Sequence, residues 1–182
     1  MQKVQRIVLV GFMGTGKSTV GRRLAKTIAW DFVDTDAEIE NITGLTVAEI
    51  FRRHGEKRFR SEENLLVKRL NGVHRCVIAT GGGTVLNPEN WRLLKQEALS
   101  VHLYAPVDVI LERVGHHPDR PLLKGSREET EALWQQRLSI YRQADWTIDT
   151  TVIDIEQVEN EILARIERLK EHESSDLAKD RG

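Results

Sequence analysis

Eight residues, Gly11-Phe12-Met13-Gly14-Thr15-Gly16-Lys17-Ser18, constrain this chain more than any other stretch. They match the pattern G-x-x-x-x-G-K-[ST]. They lie between an apolar run, Gln5 to Val10, and a segment from Lys17 to Ile28 carrying Val20, Leu24 and Ile28 at helical spacing. Strand, glycine-rich turn and helix in that order form a phosphate cradle. Glycines let the backbone wrap closely, and successive N–H groups and the positive helix end then face an anion. In this reading Gly14, Thr15, Gly16, Lys17, Ser18 and Thr19 bind the phosphates of a nucleotide. Lys17 places a mobile charge on the outer phosphates, and Ser18 offers a hydroxyl to Mg²⁺. The motif alone does not separate a kinase from a GTPase, a motor or a switch.

The rest of the chain repeats the alternation. Strands are expected at Asp31 to Asp34, Arg75 to Thr80, Leu99 to Tyr104 and Trp146 to Asp149. Between them, helices are expected from about Ala37 to Gly44, from a capping box at Thr46 and Glu49 to a break at Gly55, and from Glu56 to about Leu70. Others follow the Asn87-Pro88 cap, span Val107 to Val114, and run from a second capping box at Ser126 and Glu129 to about Gln143. The last spans Ile155 to about Lys170. Strands alternating with helices imply an α/β fold, a parallel sheet with helices on both faces. We expect one domain over residues 1–170, with a polar lid at about 115–125 and a frayed, disordered tail at 171–182.

Acceptor residues should lie at the carboxyl ends of strands, where open parallel sheets carry their crevice. Asp34 closes the second strand and can face a metal near Ser18. Asp36 can turn toward whatever lies beyond the phosphate. Spacing leaves a second reading open, in which Thr35-x-x-Glu38 is a capping box and the aspartates merely favour a helix start. Gly81-Gly82-Gly83 after the third strand is either a tight turn or a place where a ligand approaches the backbone. The second is favoured because the loop enters the same crevice. Nothing in spacing selects Arg60, Arg120 or Arg137 from the other arginines.

Composition narrows the partners. Acidic and basic residues nearly cancel, 28 against 27, with no single-sign block, which excludes sequence-independent nucleic-acid binding through a basic face. The N-terminus enters a short strand without an apolar export segment, and no membrane span is legible. One cysteine, Cys76, sits in the apolar run CVIA as an inert buried thiol. These features point to a cytoplasmic protein, and the lack of an apolar surface stripe to a monomer.

The ordered set GFMGTGKST, DTDAEIE, GEKRFRSEE, TGGGTV, DRPLL and QRLSIYR, over about Val4 to Lys170, resembles the shikimate kinase family. The resemblance implies a P-loop, nucleoside-monophosphate-kinase-like three-layer fold with five parallel strands in the order 2-3-1-4-5. It implies transfer of the ATP terminal phosphate to the shikimate 3-hydroxyl in the route to chorismate and the aromatic amino acids. By motif, Asp36 binds the acceptor hydroxyls and is the candidate base. Arg60 and Arg137 hold the carboxylate, Gly81, Gly82 and Gly83 give backbone contacts, and Glu63 braces Arg60. Asp34 reaches Mg²⁺, Arg120 is the lid arginine, and Arg113 lies against the adenine. The loop DTTVIDIE departs from the pattern in lacking a proline that some relatives place near the base. His116 and His117 in the lid have no assigned role. The rivals are another small-metabolite kinase of the gluconate type and a nucleotide-binding protein without transfer activity.

Overall fold

The computed structural model describes residues 4–114 and 126–179. Five strands, β1 (Arg6–Val10), β2 (Asp31–Asp34), β3 (Cys76–Ala79), β4 (Ala98–Tyr104) and β5 (Trp146–Asp149), form one sheet in the order β2-β3-β1-β4-β5, with every neighbouring pair parallel. The helices are α1 (Lys17–Thr27), α2 (Thr35–Thr43), α3 (Val47–Leu70), α4 (Pro88–Lys95), α5 (Val107–Val114), α6 (Arg127–Tyr141) and α7 (Ile155–Lys179).

The alternation of side chains along β1 explains the layers. Ile7 and Leu9 join α1 and α7 in one core, through Val20, Leu24, Val158 and Ile162. Val8 and Val10 face the opposite way and join Ile39, Phe59, Leu94, Ile110 and Tyr141 from α2 to α6. All five residues of β1 are buried, as a parallel strand covered on both faces requires. At the foot of the sheet Arg6 is also buried, and its guanidinium donates to the carbonyls of Leu70, Leu93 and Gln96. These carbonyls end α3 and α4, where helices leave acceptors unpaired. Burial lowers the Arg6 pKa, with Glu97 opposing the shift.

The caps at Thr46, Asn87 and Ser126 form as expected, and Gly55 breaks α3 with φ 77° and ψ 170°. Three features differ from expectation. Helix α2 begins at Thr35 rather than Ala37, because Asp34 is its N-cap and accepts from the N–H groups of Asp36 and Ala37. A 3₁₀ turn, Thr84–Leu86, follows the glycine run. The last helix continues past Lys170 to Lys179, so the tail read as frayed is helical that far; no glycine or proline interrupts it. No helix among the described residues is long and apolar enough to cross a membrane.

Candidate active site

The sheet register brings the candidate residues into one row. Leu9 on β1 pairs with Ala79 on β3, and Ala79 pairs with Asp34 on β2. The P-loop, the DTD turn and the glycine run therefore leave the sheet at the same level. Thr80 secures this end, its N–H and hydroxyl both donating to the Leu9 carbonyl at 3.0 Å.

Gly14 (φ 79°) passes so close to α5 that a Cβ there would meet Val114 Cγ2 at 2.5 Å, so only glycine fits. Gly16 (φ 88°) is the N-cap of α1 and brings no side-chain acceptor, and the first turn of that helix carries no acidic residue. The positive end of α1 thus meets the cleft with no acidic residue of its own. The Lys17 ammonium donates to the Phe12 carbonyl at 2.8 Å, and Thr15 Oγ1 donates to the same oxygen at 2.9 Å. Thr15 therefore braces the loop from within rather than presenting its hydroxyl to the cleft, while Ser18 and Thr19 are exposed on the cleft wall.

Asp34 resolves the ambiguity left by spacing by doing both jobs. One carboxylate oxygen caps α2; the other accepts from Ser18 Oγ at 2.5 Å. Asp36 is half-buried as a residue, but its Oδ1 is sealed from solvent and has no hydrogen-bond partner. Burial, with like charge from Glu63 and Asp34 adding and Lys17 opposing, pushes its pKa up to about 7. The glycine run is packed against it: a Cβ on Gly81 would stand 2.2 Å from Asp36 Oδ1. Thr35 sets this spacing by accepting the Gly81 N–H at 2.7 Å, a contact that spacing did not indicate.

The two arginines flank the same glycines. A Cβ on Gly83 would lie 2.2 Å from Arg60 Nη1, and one on Gly82 would lie 3.5 Å from Arg137 Nη1. Arg60 donates to buried Glu63 at 2.6 Å and to Glu56 at 2.9 Å, and Thr84 donates to the second Glu63 oxygen at 2.6 Å. Glu63 thus braces Arg60, as the motif implied. Arg137 is only 4% exposed, yet its Nε and Nη1 have no partner. Buried guanidinium donors left open in a cleft wall suit an anionic ligand.

The P-loop, Asp34, Asp36, Arg60, Glu63, the glycine run and Arg137 line one cleft of about 500 Å³. An apolar stretch of its wall is formed by Met13, Val47, Phe51 and Phe59, with the two phenylalanine rings 5.0 Å apart. The sequence did not single out this wall, since no motif assigns a role to its apolar side chains. Arg113, expected against the adenine, donates to Thr150 Oγ1 at 3.0 Å and to the Thr150 carbonyl, holding the loop after β5 to the end of α5. Arg120, His116 and His117 lie outside the described residues.

A doubly covered parallel sheet with a P-loop at its central strand, and a polar cleft extending from that loop to two arginines, defines a P-loop phosphotransferase of the nucleoside-monophosphate-kinase type. The shikimate kinase family model matches residues 13–167. The shikimate kinase of Pelotomaculum thermopropionicum is 51% identical over 171 residues, covering 93% of this chain and 98% of that protein. A shikimate kinase from Acinetobacter baumannii, solved in complex with shikimate, is 37% identical with a TM-score of 0.87, covering 93% of this chain and 96% of its own. The chain belongs to the shikimate kinase family. A gluconokinase from Sinorhizobium meliloti, 18% identical with a TM-score of 0.62 and covering 97% of this chain and 99% of its own, shares the fold alone.

Proposed function

We propose that this protein transfers the terminal phosphoryl group of ATP to the 3-hydroxyl of shikimate, with the residues gathered in the cleft in the following roles. The observation that carries this reading is the pairing, in one cavity, of a phosphate cradle with polar atoms that have no internal partner: Asp36 Oδ1 and the Nε and Nη1 of Arg137. A small ring bearing hydroxyls and a carboxylate satisfies both at once.

Arg60 and Arg137 clamp the carboxylate, and the apolar wall of Phe51 and Phe59 lies along the ring. Asp36 accepts a hydrogen bond from the attacking hydroxyl and takes its proton as the new P–O bond forms and the bond from the terminal phosphorus to the bridging oxygen breaks, ADP leaving with that oxygen. A carboxylate with a pKa of about 7 is well matched to that work near neutral pH. Lys17 and the N–H groups at the start of α1 hold the outer phosphates, with Gly14, Thr15, Gly16 and Thr19 shaping the cradle.

Ser18 and Asp34, already paired with each other, would supply hard oxygens suited to Mg²⁺. Among the described residues, no three His, Cys, Asp or Glu cluster as a cage of their own. When bound, the ion neutralises charge on the phosphates. Arg120, which lies outside the described residues, is assigned by motif alone to neutralising charge on the phosphates during transfer.

The test is ADP formation from Mg²⁺ATP with shikimate, with gluconate, and with neither. Turnover with shikimate alone is the expected result. Equal turnover with gluconate, or silence in all three while ADP still binds, would overturn the acceptor assignment.

A further inference from the structure

Tyr141 closes α6 one turn after Arg137, so the two side chains share a face. It is 1% exposed, and its hydroxyl donates to the Gly82 carbonyl at 2.5 Å. A Cβ on Gly82 would stand 3.6 Å from Tyr141 Oη and 3.5 Å from Arg137 Nη1, so hydroxyl and guanidinium converge on one glycine. Behind the ring lies His102, its ring centroid 5.5 Å away at 33°. Burial, with Lys17 and Arg142 adding, pulls the His102 pKa down to about 4, so the ring packs as a neutral group. Burial also pushes the Tyr141 pKa up to about 12, which keeps the phenol protonated and a donor throughout the working range.

Gly82 has no side chain to hold its peptide plane, and neighbouring Gly81 and Gly83 share that freedom. The loop must nevertheless stay put, because Gly81 is packed on Asp36 and Gly83 on Arg60. We propose that Tyr141 is a positioning residue for the acceptor site: by fixing the Gly82 carbonyl it holds the glycine run between Arg60 and Arg137 in the geometry that receives the ligand's carboxylate. This rests on the reading of the acceptor as a small carboxylate-bearing polyol. Tyr141 does not touch the transferred group and acts through Gly82 and through the neighbouring Arg137 guanidinium, which interacts with its hydroxyl.

The experiment compares unaltered protein with Tyr141→Phe, which keeps the ring on His102 and removes only the hydroxyl. Steady-state constants are measured with shikimate and with its methyl ester, alongside thermal melting. The expected result is a drop of about tenfold in kcat/KM for shikimate, carried by KM, the size of one buried acceptor left unmet. The expected changes in kcat and in KM for ATP are less than about twofold, and the loss against the ester is much smaller, since it lacks the charge that the loop and arginines receive. Equal losses on both substrates, a lower melting temperature with unchanged kinetics, or a variant that does not fold would each overturn the proposal by making the hydroxyl a stability determinant. Absence of shikimate turnover by the unaltered protein would remove the acceptor reading and this inference with it. Normal turnover with an unaffected variant would remove the inference alone.

Discussion

Replacing Asp36 with asparagine should abolish turnover and at the same time make the protein more stable at alkaline pH. The carboxyl's pKa is raised from 3.8 to about 7, mainly by burial. Below about pH 4 it is protonated in both folded and unfolded chains and contributes no difference. Between roughly pH 4 and 7 the folded protein keeps a proton that the unfolded chain has released, so this group makes stability fall as pH rises. Above about pH 7 the cost is complete. At 1.36 kcal/mol per pH unit, the gap from 3.8 to about 7 corresponds to about 4 kcal/mol. An asparagine amide in the same place leaves its own polar atoms short of partners, at a cost of about 1–3 kcal/mol. The expected net gain for Asp36→Asn is therefore about 1–3 kcal/mol at pH 8 and near zero at pH 5, or several degrees in Tm for a protein of this size. Urea unfolding followed by tryptophan fluorescence at pH 5, 6.5 and 8, without Mg²⁺ or substrates, measures it directly. A stability difference that does not change with pH, or a variant less stable than the parent at pH 8, would refute the assignment of Asp36 as a strained, high-pKa carboxyl.

The same raised pKa should appear in kinetics: kcat/KM for shikimate should fall about tenfold per pH unit below about pH 7, and a profile flat down to pH 5 would count against Asp36 as the base. Gly83→Ala would put a methyl group 2.2 Å from Arg60 Nη1, and that flexible end must give way. KM for shikimate should rise tenfold or more while ADP affinity, read by calorimetry, stays within about twofold. Arg6→Ala would strip the donor from the carbonyls of Leu70, Leu93 and Gln96, far from the cleft. It should cost about 2–4 kcal/mol in urea unfolding with unchanged KM values, and a loss below about 0.5 kcal/mol would mean that water replaces the guanidinium.

What the sequence alone determines here is whatever depends on neighbours along the chain. The glycine spacing and the Lys17-Ser18 pair announce a phosphate cradle. The apolar runs of β1 and β3 announce a sheet covered on both faces, and the caps at Thr46, Asn87 and Ser126 mark helix starts, because each of these is a local hydrogen-bonding or periodicity requirement. The family pattern added Asp36, Arg60 and Arg137 where spacing could not choose. Only the tertiary structure decides that Asp34 rather than Thr35 caps α2 while also meeting Ser18, and that Arg113 ties down the loop after β5. It alone shows that Phe51 and Phe59 line the cleft and that Tyr141 holds Gly82. The physical reason is the parallel topology. Crossovers of many residues bring the ends of β1, β2 and β3 and one face of α6 to the same level, so groups from positions 17, 36, 60, 82 and 137 share one desolvated space. The raised pKa of Asp36 belongs to that shared space, with its burial and its neighbouring charges, and to no stretch of sequence.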